Sequence, residues 1–107
     1  MNQEYPKVSI ITVVYNAGAL LEKTIANVLA QSYANIEYLI IDGASTDTTL
    51  EIIRKYEDKI DFWSSEPDTG LYDAMNKGIK AATGDYVWFI NAGDTIYKTN
   101  TCENIFK

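Results

Sequence analysis

Short runs rich in β-branched and aromatic residues alternate along this chain with stretches of helical spacing, and that alternation constrains the fold more than any other feature. The first run, KVSIITVVY (7–15), is apolar almost throughout, as a strand covered on both faces must be. AGALLEKTIANVLAQS follows, with Leu21, Ile25, Val28 and Leu29 at helical spacing. IEYLIID (36–42) predicts a second strand, and STDTTLEIIRKYED a second helix in which Thr48 and Glu51 have capping-box spacing. IDFWSSE (60–66) is a weaker third strand. DTGLYDAMNKGIKAATG then predicts a third helix, with Leu71, Met75, Gly78, Ile79 and Ala82 on one face and Gly84 as a left-handed residue at its end. DYVWFI (85–90) is the fourth strand, its Trp88, Phe89 and Ile90 reading as buried. Short connections between such elements mean βαβ units, and hence a mostly parallel sheet with right-handed crossovers and helices on both faces.

The chain of 107 residues has room for one such α/β domain, spanning 1–107, and not for two. Nine basic against fifteen acidic residues give a formal charge of −6, which argues against a nucleic-acid surface because phosphate backbones need a clustered cationic face. A single nucleotide remains compatible with it, since a metal ion and a few backbone amides can hold one. The lone Cys102 excludes an intrachain disulfide and a Cys-rich zinc site. With no histidine present, every mechanism built on an imidazole is excluded for these residues. MNQEYPKV lacks the basic and apolar regions of a signal peptide, and no apolar run approaches the roughly 18–20 residues of a membrane span. A cytoplasmic domain is the resulting expectation.

In parallel sheets ligands sit beyond the carboxyl ends of the strands, so the residues that follow each strand are the candidates. They are Tyr15 and Asn16, then Asp42 to Asp47, then Glu66 to Asp68, then Asn91 to Asp94. Three of the four strand ends carry a carboxylate. Like charges at one rim repel, and a divalent cation or ligand N–H groups would give them a use; alternatively they cap helices and shape turns. The first strand leads into YNAGAL, with one glycine, so the dinucleotide fingerprint is absent, and so is a P-loop.

At these strand ends the chain resembles the nucleotide-binding half of the family 2 glycosyltransferases, an inverting group with the Rossmann-like GT-A fold. VSIITVVYN, IIDGASTD and EPDTGLYDAMNKGIKAATGDYVWFINAGD carry the resemblance, in order, over residues 7 to about 97. It implies that Thr12, Val14 and Tyr15 lie beside a nucleobase, with Tyr15 as stacking surface, and that Asn16 belongs to the nucleotide site. It further implies that Asp42 accepts a hydrogen bond from the ring N–H of the base. Asp68 would line the pocket, and Lys77 would reach a phosphate or the base. Asn91 to Asp94 falls where the family carries its acidic metal motif: Asp94 would coordinate Mg2+ or Mn2+ on the diphosphate and Gly93 would allow close backbone approach. Asn91 and Gly93 stand where carboxylates are common, a variant of that motif.

The reaction so implied moves a sugar from a nucleoside-diphosphate sugar, with UDP the expected nucleotide, to a hydroxyl of a glycan or lipid-linked acceptor in surface-polysaccharide assembly. No residue here reads as the general base, which the family draws from a further C-terminal half; the chain is therefore expected to be a truncated, donor-binding piece. Exposed surface left by the missing half would favour self-association, and the full-length protein would sit in the cytoplasm or at the inner face of the membrane. The competing reading is a small flavodoxin-like module whose rim acids bind a cation or a partner protein without catalysis.

Overall fold

A computed structural model describes residues 5–94. Along them run β1 (Val8–Val14), α1 (Gly18–Leu29), β2 (Ile36–Asp42), α2 (Thr49–Lys55), β3 (Phe62–Ser65), α3 (Leu71–Ala81) and β4 (Tyr86–Phe89). Every pairing is parallel and the strand order is β3-β2-β1-β4. The expected α/β architecture holds. The chain steps outward from β1 to β3, then returns to the other side of β1 at β4, so its direction of travel reverses between β1 and β4.

Alternation along β1 and β2 divides the core between the two faces of the sheet. Val8, Ile10, Val14, Tyr38 and Ile40 pack with Leu21, Ile25 and Val28 of α1 and Ile53 of α2. Ile11, Val13, Leu39 and Ile41 pack with Ala74 of α3. Burying a large aliphatic side chain contributes about 1.5–3 kcal/mol, so the two central strands supply most of the apolar drive.

Several local expectations change. Thr48 makes no side-chain cap; the Asp47 carboxylate accepts from the Thr49 N–H instead (2.9 Å) and also from the Gly18 N–H (3.3 Å). One side chain thus serves the amino ends of α1 and α2 together. On α3 the buried residues are Ala74 and Gly78, whereas Leu71 and Ile79 are exposed. The helix sits too close to the sheet for larger side chains: a Cβ on Gly78 would stand 2.7 Å from Ile11 Cγ2. Leu29 is exposed; Tyr86 and Val87 are exposed too, because among the described residues β4 lies at the edge of the sheet.

Gly84 is required for space and not for a left-handed backbone, since the glycines of positive φ among the described residues are Gly70 and Gly93. A Cβ at Gly84 would lie 2.5 Å from Ser9 Oγ and 2.8 Å from the Ser9 backbone nitrogen. Backbone cannot move aside as a side-chain tip can, so Gly84→Ala should cost about 2 kcal/mol, read as a lower thermal midpoint.

At the amino-terminal end of the sheet Glu37 joins three segments. Its carboxylate accepts from the Ser9 hydroxyl (2.7 Å), the Thr83 N–H (2.9 Å) and the Thr83 hydroxyl (2.8 Å), and faces Lys7 Nζ at 3.6 Å. Burial pushes the Glu37 carboxyl up, but the hydrogen bonds from Thr83 and Ser9, with the Lys7 charge, outweigh it and hold the group below its ordinary value. The folded value lies below the unfolded one, so this stabilisation is complete above the ordinary 4.5 and is lost as pH falls below it. Urea denaturation across that window should show stability falling with acid, and Glu37→Gln should flatten the slope.

Candidate functional site

Beyond the carboxyl ends of β1 and β4, where the chain reverses direction, lies a cleft of about 440 Å³. This is the position at which open parallel sheets receive ligands, because the two loops diverge there and leave a crevice. Val13, Val14, Tyr15 and Ala17 form one wall, Asn91 and Ala92 another, and Asp68, Gly70, Leu71 and Ala74 the third. The lining is thus mostly apolar with a few polar groups, the composition of a small-molecule site. Tyr15 presents its ring to solvent (62% exposed) and Asp68 is half-buried. The amino end of α3 opens on the same cleft, where its backbone dipoles favour negative charge.

Of the residues singled out from sequence, the fold brings Val14, Tyr15 and Asp68 together in this cleft. Thr12 is instead fully buried, its hydroxyl 2.9 Å from that of Tyr38. Two residues short of the strand end, it lies too deep to meet a ligand. Asp42 is also fully buried and does not line the cleft. Its Oδ2 accepts from the Ser45 N–H (2.9 Å) and the Ser65 hydroxyl (2.7 Å), and its Oδ1 from the Ser45 hydroxyl (2.5 Å). Asp42 therefore braces the loop from beneath, with no oxygen open to the cleft.

Asn16 is exposed and left-handed (φ 49). Its N–H donates to Ser45 Oγ (2.8 Å) while its Oδ1 accepts from the Thr46 N–H (2.7 Å), lacing the loop after β1 to the loop after β2. Ala44, in that second loop, has φ 66. A Cβ there costs about 1–2 kcal/mol relative to glycine, partly offset by the greater freedom of an unfolded glycine. Ala44→Gly should accordingly raise stability by about 0.5–1 kcal/mol in urea titrations.

Lys77 faces elsewhere. It pairs with Glu66 (3.1 Å) and Asp73 (3.7 Å) and donates to the Pro67 carbonyl (2.9 Å). Slight burial pulls its pKa down, but the Glu66 hydrogen bond and the nearby acids outweigh that and raise it. Its work is to fix the segment that carries Asp68.

The Asn91–Asp94 turn closes with the Asp94 N–H donating to the Asn91 carbonyl (2.9 Å). Gly93 has φ 99, a conformation L side chains rarely adopt, which explains the glycine. Thr24 of α1, fully buried, holds this turn in place: its hydroxyl accepts from the Gly93 N–H and donates to the Asp94 carbonyl, each at 2.9 Å. Thr24 is not among the residues to which the strand ends point. The signal was a hydroxyl on the apolar stripe between Leu21 and Val28.

A sequence model described as Glycosyl transferase family 2 matches residues 9–107. The chain belongs to glycosyl transferase family 2. A Mycobacterium tuberculosis protein named as an uncharacterized glycosyltransferase is 43% identical over 90 residues, covering 83% of this chain and 34% of its own length. A Mycobacterium bovis PGL/p-HBAD biosynthesis glycosyltransferase is 32% identical, covering 94% of this chain and 40% of its own. This member of the family thus spans about a third to two-fifths of the length of these relatives. A mannosyltransferase from Pyrobaculum calidifontis, solved with GDP-Man and Mn2+, superposes with a TM-score of 0.85 at 27% identity, covering 92% of this chain and 31% of that one. S. aureus TarS, solved with UDP-GlcNAc, gives 0.84 at 27% identity, covering 92% and 30%. The fold of this family 2 chain is accordingly that of the GT-A glycosyltransferases.

No group of three Asp, Glu, Cys or His among the described residues could hold a metal ion. The carboxylates expected at one rim are mostly committed elsewhere, Asp42 beneath its loop, Asp47 at two helix ends and Glu66 to Lys77. Asp94 remains exposed on its turn. One carboxylate suits a hard cation only where diphosphate oxygens and water complete the shell. No helix among the described residues is long and apolar enough to cross a membrane.

Proposed function

We propose that this chain supplies the donor-binding part of an inverting glycosyltransferase that takes its sugar from a nucleoside-diphosphate sugar. The observation that carries the reading is the cleft at the reversal between β1 and β4, where an exposed Tyr15 ring, an apolar floor and the amino end of α3 meet. Tyr15 stacks on the base, Val13, Val14 and Ala74 exclude water beneath it, and the diphosphate extends toward the Asn91–Asp94 turn. Asp94 would hold Mg2+ or Mn2+ there, a Lewis acid that offsets the charge of the departing diphosphate. Thr24 and Gly93 fix the turn that presents Asp94. The acceptor hydroxyl attacks the anomeric carbon from the face opposite the nucleotide and loses its proton to a carboxylate that this reading places outside residues 5–94. The acceptor is a glycan or lipid-linked hydroxyl of surface-polysaccharide synthesis.

Calorimetry provides the test. UDP or GDP should bind the folded chain and bind more tightly with Mn2+ than with a chelator. A folded chain that takes up neither nucleotide would contradict the reading.

A further inference from the structure

We infer that Asp68, and not the carboxylate at the end of β2, reads the nucleobase, and that the cleft therefore selects bases presenting a ring N–H, uracil or guanine, over cytosine and adenine. This rests on the nucleotide reading above and narrows it. Asp42 does not reach the cleft, because it is fully buried with its oxygens turned to Ser45 and Ser65 inside the protein. The next residue, Gly43, has no side chain to offer. Into the space that side chain would fill leans Asp68: a Cβ on Gly43 would stand 2.8 Å from Asp68 Oδ2 and 3.5 Å from Tyr15 Cδ1. The acceptor oxygen and the edge of the stacking ring therefore border the same small volume at the rim of the cleft.

Asp68 is held to that position from both sides. Its Oδ1 accepts from the Gly70 N–H (3.1 Å), and Lys77 fixes the preceding Pro67 through its carbonyl (2.9 Å). That leaves Oδ2 as the oxygen turned toward Gly43 and Tyr15. An ionised carboxylate only accepts hydrogen bonds. Uracil offers N3–H and guanine offers N1–H with its exocyclic amine, whereas cytosine N3 and adenine N1 carry lone pairs that would oppose Oδ2. A polar site facing a ligand that cannot pair with it loses affinity steeply.

The experiment is calorimetry of the full chain with UDP, GDP, CDP and ADP in turn, each with Mn2+. UDP or GDP should bind at least about tenfold more tightly than CDP and ADP, and the comparison of the first two identifies the base. Asp68→Asn keeps an oxygen for the Gly70 N–H and turns an amide N–H2 toward the base, so the preference should shrink to about threefold or less. Gly43→Ala should shrink it as well, by displacing Oδ2 while leaving Asp68 chemically intact; it guards against an Asp68 variant that fails to fold. A preference unchanged in either folded variant, or one for CDP or ADP in the wild type, overturns the inference while leaving a nucleotide site standing. Absence of binding by all four nucleotides overturns the nucleotide reading itself.

Discussion

Asp94→Ala should weaken UDP or GDP binding in Mn2+ by about a hundredfold, close to 2.7 kcal/mol, while leaving the thermal midpoint almost unchanged. The size of the effect follows from the donor set. No three acidic side chains gather among the described residues, and Asp94 is the one carboxylate this reading gives the cation, so its removal leaves water and the nucleotide to hold it. The small effect on stability follows from the turn. Gly93 and Asp94 engage Thr24 and Asn91 through their backbones, groups that alanine retains. In a chelator the wild type and Asp94→Ala should bind nucleotide alike. A variant that still gains affinity from Mn2+ would remove Asp94 from the metal role.

Asp42→Ala should have the opposite signature, a loss of about 3–4 kcal/mol of stability with nucleotide binding lost as a consequence. Its carboxylate receives three hydrogen bonds while fully buried. Deleting it strands the Ser45 N–H and both serine hydroxyls without an acceptor. The damage reaches the cleft because Ser45 Oγ also accepts from the Asn16 N–H, and Asn16 follows the Tyr15 that lines it. Asp42→Asn separates positioning from contact. An asparagine can keep its oxygen at the Oδ2 position for the Ser45 N–H and the Ser65 hydroxyl, and the Ser45 hydroxyl can rotate to accept from its amide, so folding should cost only about 1 kcal/mol. If Asp42 acts by shaping the loop, folded Asp42→Asn binds nucleotide within a few-fold of the wild type. Binding abolished in a variant of near-normal urea midpoint would return Asp42 to direct contact with the ligand.

The architecture was legible because VSIITVV and IEYLIID are apolar at nearly every position, which only strands covered on both faces tolerate. Knowing the strand ends also located the cleft. What sequence could not convey was depth and neighbours. Thr12 precedes the end of β1 by two residues, about 7 Å along a strand, and that distance separates a ligand contact from a core hydroxyl paired with Tyr38. Asp42 ends β2, but β2 runs between β1 and β3, and the register places Ser65 beside Asp42, where it joins Ser45 in enclosing the carboxylate. Helix α3 showed its period but not which part of its apolar stripe is covered. Gly78 of that stripe and Ala74, which the expected face did not include, allow the closest approach, and so Leu71 is left to line the cleft. Thr24 went unread because one hydroxyl among aliphatic residues carries no pattern until its partner 70 residues away is placed.

The central claim, that the ends of β1, β4 and α3 form one nucleotide site, is tested most directly by titrating UDP and GDP into the isotope-labelled chain with Mn2+ and following backbone amides by NMR. Tyr15, Gly70, Leu71, Asn91 and Ala92 should shift together along a single saturating curve, with Phe62, Ser64 and Lys80 on the far flank of α3 unmoved. Shifts confined to that flank, or spread without saturation over the whole sheet, would contradict it.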